Sequence, residues 1–247
     1  RAPHPATMAD AIDSAVDLFA SYAQLWVLVE AVLTYMQPMY VPSNEWLSMW
    51  VPLLALTSVI PTKPVFGSAL AVRCAMIISK MPFLFDSAYW ALQTDIIVLV
   101  AIMLVPRRAV VPTVEWVITA QMGMFYLAAG FWKINTAFLD PKVSCATVFP
   151  LSLLTYLPEA IIPSGLIHVL AQSAPLVTIT GEISIGLALL VPHRLSRRLG
   201  VLLCALLHLG ITATPFPNQI ASFSMFGLSR MFFAVAPSWA AAKNIRE

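Results

Sequence analysis

The chain has 247 residues, 60% of them hydrophobic and 11% charged, with a mean hydropathy of +0.83. Soluble domains carry about 25% charged residues, so this composition cannot cover a water-soluble fold, and it equally excludes disorder, collagen-like repeats and coiled coils. Lys and Arg number 14 against 12 Asp and Glu, a formal net charge of +2 that points to neither nucleic acid nor an acidic partner.

A helix needs roughly 20 apolar residues to cross a bilayer core. In chain order, candidate runs lie near 12–36, 46–60, 66–85, 88–105, 109–132, 171–191, 199–214 and 220–236. The second is short and carries Pro52, which predicts a tilted, kinked or partly buried helix. Elsewhere proline gathers where runs end, at Pro38, Pro42, Pro61, Pro64, Pro106, Pro192, Pro215, Pro217 and Pro237, and so marks their boundaries. Residues 134–170 are different. Pro141, Pro150, Pro158 and Pro163 break them into apolar pieces too short to span, which predicts an interfacial or re-entrant segment.

Charge asymmetry supports that reading. If 134–170 does not cross, then Lys63, Arg107, Arg108, His193, Arg194, Arg197, Arg198, Lys243 and Arg246 share one side with both termini, and the connections 37–45 and 215–219 carry no Lys or Arg. By the positive-inside rule that side is the cytosol, or the matrix or stroma of an organelle. The expectation is one all-α polytopic membrane bundle over residues 1–247, with about eight transmembrane helices. Trp46, Trp50, Tyr89, Trp90, Trp116, Trp132 and Trp239 lie near run ends, as an interfacial aromatic belt requires. The opening at Arg1-Ala2-Pro3-His4-Pro5 fits a chain trimmed of a targeting peptide, or numbering that starts inside a longer sequence. The first alternative favours an organelle membrane, thylakoid or mitochondrial inner.

An ionisable group at mid-membrane costs about 2.5–3.5 kcal/mol even on the lenient insertion scale, so it must face the bundle or a wet cavity. The candidates are Asp13, Asp17, Glu30, Arg73, Asp95, Glu115, Lys133, Glu182, His208 and Arg230. Glu182, His208 and Arg230 fall near mid-depth on the last three runs, Asp95 in the outer half of the fourth, and Lys133 at the outer end of the fifth. Together Glu182, His208, Arg230 and Asp95 read either as a polar pocket that binds or acts on something within the membrane, or as ion pairs and hydrogen bonds that fix packing. Gly181, Ser184 and Ala188 share one helical face and would admit a close neighbour. Asp13 and Asp17 have the right sign for a helix N-terminus.

Several chemistries drop out. There is no glycine-rich phosphate loop, no Cys-x-x-Cys and no His-Glu-x-x-His. Cys74, Cys145 and Cys204 have no metal-ligand spacing and predict no metal site; Cys74 and Cys204 read as small buried hydrophobes. Of His4, His168, His193 and His208, only the last lies within a predicted span, which argues against a haem held between two histidines. Single-ligand pigment binding by His208 or Glu182 stays open.

The run Phe125-Tyr126-Leu127-Ala128-Ala129-Gly130-Phe131-Trp132-Lys133-Ile134-Asn135, followed by Phe138-Leu139, resembles a motif of the vitamin K-dependent carboxylase-like (HTTM) membrane domains. There an apolar helix ends in Ala-Gly and a Lys, and a short segment leads into a bulky hydrophobic residue. The C-terminal half is similar too, with Glu182 on one helix, a basic turn over His193–Arg198, His208 on the next, then Phe223 to Phe233. The resemblance implies a role for Lys133 in vitamin K-type chemistry, where a partly desolvated amine acts as a base. On residues alone, Lys133 snorkels from a helix end. The family's Asn-His-Ser-Tyr run is replaced by Asp86-Ser87-Ala88-Tyr89, and no large soluble region follows the last run, so carboxylation of a protein is not expected.

The first functional expectation is therefore a non-catalytic integral subunit of a larger, organellar membrane complex, with lipid, quinone or pigment in its grooves and membrane lipids and other subunits as partners. The alternative is a stand-alone membrane enzyme acting on a quinone- or lipid-like substrate, with Lys133 as base and Glu182 and His208 around the site. Transport would call for inverted repeats or matching broken helices, and neither stands out.

Overall fold

The computed structural model describes residues 17–36, 44–82, 86–215 and 221–244, which form helices and turns with no strand among them. Eight long helices occur among these residues: α1 (Leu18–Met36), α2 (Asn44–Val59), α3 (Lys63–Ile78), α4 (Asp86–Leu104), α5 (Val110–Trp132), α6 (Ser164–Leu190), α7 (Arg194–Thr212) and α8 (Ala221–Asn244). Each follows one of the apolar runs. Asp13, within the first run, lies outside the described residues.

Four of the helices, over Leu18–Tyr35, Ser87–Leu104, Gly165–Leu190 and Arg194–Thr212, are long and apolar enough to cross a membrane. The others fall short for different reasons. α2 and α3 have 16 residues each, about 24 Å at 1.5 Å per residue. α5 has 23 residues, but Glu115, Thr119 and Gln121 dilute its hydropathy. In α8 the described side chains form a shorter apolar stretch, Phe223–Val235. The structure is thus an all-helical bundle with several helices of membrane-spanning character.

Between α5 and α6 the chain makes short turns. Asn135 Oδ1 accepts from the Phe138 N–H at 2.9 Å and opens a single helical turn, Thr136–Leu139. Ser144 Oγ accepts from the Ala146 N–H at 3.3 Å, and a short helix over Val148–Leu154 follows. Several boundaries differ from expectation: α3 ends at Ile78 and residues 79–82 turn, where 66–85 reads as one run, and α8 continues to Asn244, beyond the run 220–236. The stretch 164–170, assigned to the interfacial segment, is the beginning of α6, which runs unbroken from Ser164 to Leu190 with Pro175 inside it. Pro163 stands at its N-cap, where a missing N–H costs nothing.

α5 and α6 pack antiparallel through glycine. A Cβ on Gly186 would come within 2.7 Å of the Gly123 carbonyl oxygen, and one on Gly130 within 2.7 Å of Ile183 Cγ1. Only small residues permit backbones to approach this closely. The small face expected at Gly181, Ser184 and Ala188 is not this contact. Gly181 has open space where its Cβ would be, Ser184 is exposed, and Ala188 meets α7 at Gly200.

This antiparallel pairing sets the ends of the bundle. Glu115, near the start of α5, accepts from Arg197 Nη1 of α7 at 2.8 Å. Asp17 accepts from the Ala20 N–H at 3.0 Å and pairs with Arg107 at 2.6 Å, while Lys63 Nζ donates to the Val105 carbonyl at 2.7 Å. Asp17, Lys63, Arg107, Glu115 and Arg197 therefore gather at one end, and Lys133 with the 134–163 turns at the other.

Among the described residues, two large and two small apolar clusters fill the interior. Tyr22, Trp26, Trp50, Phe66 and Phe233 anchor the first among α1–α4 and α8, with Val110, Val114 and Ile118 from α5. Met122, Tyr126, Ile185, Leu189, Cys204 and Met231 make the second between α5 and α8. Trp50 is buried and donates to Thr34 Oγ1 at 3.0 Å, so it belongs to the core and not to the belt; Trp116 and Trp132 are exposed as a belt requires.

Replacing Gly186 by Leu should lower stability by about 1–3 kcal/mol through overpacking, read as a lower unfolding temperature of the purified protein in detergent. Gly181→Ala, directed into open space, should be neutral or raise it by up to about 1 kcal/mol. Equal behaviour of the two variants would contradict the α5–α6 contact.

Candidate functional site

Ionisable side chains inside a helical bundle need partners on other helices, and here they sort into three separate groups. The first ties α1, α3, α4 and α8 together. Arg73 Nε donates to Glu30 Oε2 at 2.6 Å, and Arg230 Nη2 to Asp95 Oδ1 at 3.5 Å. Trp26 Nε1 donates to the same Asp95 oxygen at 3.1 Å. Arg230 also donates to the carbonyls of Phe226 and Ala91, at 3.2 and 3.3 Å. Both guanidinium groups sit against the Phe226 ring, 5.6 Å and 5.2 Å from its centroid. These four charges are sealed inside protein, and their arrangement suits structural pairing.

The second group is Tyr126, Cys204 and His208. The Tyr126 hydroxyl lies 3.0 Å from Cys204 Sγ and in a short hydrogen bond with His208 Nε2. The imidazole packs on Phe223 with ring centroids 4.9 Å apart, and a side chain at Gly227 would collide with it. None of the three is a lining residue of the large cavity described below.

The third group is exposed to one. Lys133 Nζ donates to Glu182 Oε2 at 2.6 Å and Oε1 at 2.8 Å, and makes a long contact of 3.4 Å with the Ala129 carbonyl. Its position follows from the helix contact below it. Gly130 lets α5 close on α6 at Ile179 and Ile183, so Lys133, one turn on, reaches Glu182 beside Ile183. The end of α5 also favours a cation, because unpaired carbonyls carry partial negative charge there. The Glu182 side chain is 5% exposed and that of Lys133 27%; the lysine is the member that opens to the cleft.

That cleft has a volume of about 1240 Å³. Its walls come from Trp90 of α4, Phe125 of α5, Phe149 of the short helix, Val177 of α6, Leu206 of α7 and Phe223 of α8. Trp90 and Phe125 stack edge-on at 4.8 Å, and Phe125 and Phe223 lie 5.8 Å apart. Phe138 presents its ring 5.8 Å from Lys133 Nζ. Lys133 and Glu182 are the only charged side chains among the lining residues described. Such a chamber accepts a long apolar body and offers the Lys133–Glu182 ion pair, with a few neutral polar side chains such as Ser87, Tyr89 and Thr178, to a polar head.

Of the residues singled out from sequence, Asp95 meets Arg230 and Lys133 meets Glu182, whereas His208 stands apart with Tyr126 and Cys204. Glu182, His208 and Arg230 thus occupy three sites instead of one, because their helices turn them toward different neighbours. His208 is not among the lining residues of the cleft, and its bond runs to Tyr126. The sequence names Phe125, Tyr126 and Phe223 only within the family resemblance and Trp90 only within the aromatic belt, and gives none of them a site role, whereas Trp90, Phe125 and Phe223 line the cleft and Tyr126 bonds His208. A signal for Tyr126 was present, since it precedes Gly130 and Lys133 at helical spacing on one face of α5. Among the described residues, no cluster of three or more His, Cys, Asp or Glu side chains could hold a metal ion.

Comparison with protein-family models, with curated proteins and with solved structures returned no match.

Glu30→Gln leaves the Arg73 guanidinium buried without its counter-charge and should cost about 3–5 kcal/mol, whereas Glu30→Leu with Arg73→Met should recover most of that loss. Chemical unfolding of the purified variants measures both. A neutral single substitution would show that the pair is not buried as described.

Proposed function

We propose that this chain is an integral membrane protein that holds a quinone- or lipid-like amphiphile in the cleft between α4, α5, α6 and α7, with Lys133 as hydrogen-bond donor to the polar head. The observation that carries this reading is an apolar, aromatic-walled cleft of about 1240 Å³ with a single ion pair in its lining. Ligand sites are typically about 300–1,000 Å³, mostly apolar, with few convergent polar groups; the larger volume here suits a long-tailed molecule.

The resemblance to the carboxylase-like membrane domains supports the same reading, because the lysine it emphasises is Lys133, at the rim of this cleft. A base, however, needs a free lone pair on nitrogen. The two short contacts of Lys133 Nζ run to a carboxylate, which favours the donor role and a binding, non-catalytic function over proton abstraction. For membership of a larger complex, no specific feature of the fold speaks: Met103, Leu104 and Trp132 are exposed, as on any helix that faces lipid.

The same reading includes eight membrane crossings, one for each long helix, with the end that carries Lys63, Arg107, Arg108 and Arg197 on the positive-inside side. What supports it is the contact of Arg197 in the first turn of α7 with Glu115 of α5, which brings the basic start of α7 to the end of α5 that follows Arg107 and Arg108.

Gly210 supplies the test. It lines the cleft, and a Cβ there meets nothing within 4 Å. Gly210→Phe should therefore fold normally while filling the cavity. Wild-type protein purified in mild detergent should retain one amphiphile enriched over bulk lipid, identified by mass spectrometry of an organic extract, and Gly210→Phe should lose about tenfold or more of it. No enrichment in the wild type, or undiminished retention in the variant, would refute the proposal.

A further inference from the structure

The charge balance at the rim of the cleft carries a statement about which amphiphile it takes. We infer that the Lys133–Glu182 pair selects an uncharged amphiphile with a carbonyl acceptor at its head, such as a quinone, ketone or ester, and rejects anionic lipids such as fatty acids and phosphate monoesters. This inference rests on the reading that the cleft holds a ligand.

A lone ammonium at the mouth of an apolar chamber would capture any anionic chain in the membrane. Here that ammonium is already matched. Both carboxylate oxygens of Glu182 lie within 2.6 and 2.8 Å of Nζ, and no other described lining residue bears a charge. The rim is therefore neutral as a unit. An anionic head reaching Nζ would have to displace a carboxylate fixed to α6, or sit beside it as a second negative charge in poorly hydrated surroundings, where an unpaired ion is costly.

A neutral acceptor meets no such barrier. The third contact of Nζ, to the Ala129 carbonyl, is 3.4 Å long, beyond the usual 2.7–3.2 Å of an N–H···O bond. A ligand carbonyl can take that N–H without disturbing the ion pair. The tail then lies along the aromatic and aliphatic wall formed by Trp90, Phe125 and Leu206. The pair thus works as a donor with its charge cancelled, which reads polarity and refuses charge.

Two photoactivatable probes of identical chain, one ending in a methyl ester and one in a sulfonate, test this on the full chain in phosphatidylcholine nanodiscs. Labelling of the cleft peptides around Phe125 and Phe149 is read by mass spectrometry. Wild type should favour the ester by about tenfold or more. Glu182→Gln should reverse the preference, and Lys133→Gln combined with Glu182→Gln should restore it, which separates charge from folding damage. Equal labelling by the two probes in the wild type, or an unchanged ratio in Glu182→Gln, overturns the inference and leaves ligand binding in place. If Glu182→Gln does not fold, the wild-type ratio decides alone. Absence of cleft labelling by both probes overturns ligand binding, and the selectivity falls with it.

Discussion

A charge placed between apolar helices must find its counter-charge on a different helix, and this constraint organises the molecule. Desolvation of an isolated ion costs several kcal/mol, far more than one helix can offset by itself. Glu30 of α1 therefore holds Arg73 of α3, Asp95 of α4 holds Arg230 of α8, and Glu182 of α6 holds Lys133 at the end of α5. Each pair fixes the rotation of two helices about their axes, because both members must point inward at the same level. Apolar packing cannot do this alone where the outer face is apolar as well.

The three pairs differ in what surrounds them, and that difference separates structure from function. Arg73 and Arg230 are closed in by Phe226 and by the first core, with side chains 2% and 6% exposed. Lys133 is several times more open and faces a cleft. Glycine contributes to that exposure indirectly. With no side chain at Gly130, α5 closes on α6 just below the pair, while the turns over 134–163 stand off and leave room above. A packing motif and a candidate binding site are thus parts of one helix contact.

Much of the architecture was legible in the residues. Apolar runs bounded by proline mark the places of the eight long helices, since helix length and proline chemistry act locally, and four of these helices are long and apolar enough to cross a membrane. Arg107 and Arg197, tied to Asp17 and Glu115, lie at one end of the bundle. The errors arose where tertiary contacts decide. The α6 boundary was set too late because the prolines at 158 and 163 read as breaks, while the second of them is a helix cap. Gly181 looked like the close-packed glycine, yet Gly186 is, because the facing position on α5 is Gly123 and no single-helix pattern reveals which neighbour lies opposite. The charged residues were correctly singled out. Their partners were legible only in part: charges of both signs lie within the runs, but pairing depends on helix order and rotation, so Glu182, His208 and Arg230 read as one group although they belong to three environments.

The pairing of Lys133 with Glu182 across the α5–α6 contact is the claim from which the cleft's chemistry derives, and a double-mutant cycle in stability tests it most directly. Lys133→Gln, Glu182→Gln and the combined variant are unfolded under identical detergent conditions. A coupling energy of about 1–3 kcal/mol, with the double variant more stable than the sum of the single losses predicts, is the expected result. Additivity to within about 0.5 kcal/mol would mean that the two side chains do not touch, and the neutral, donor-bearing rim described here would not exist.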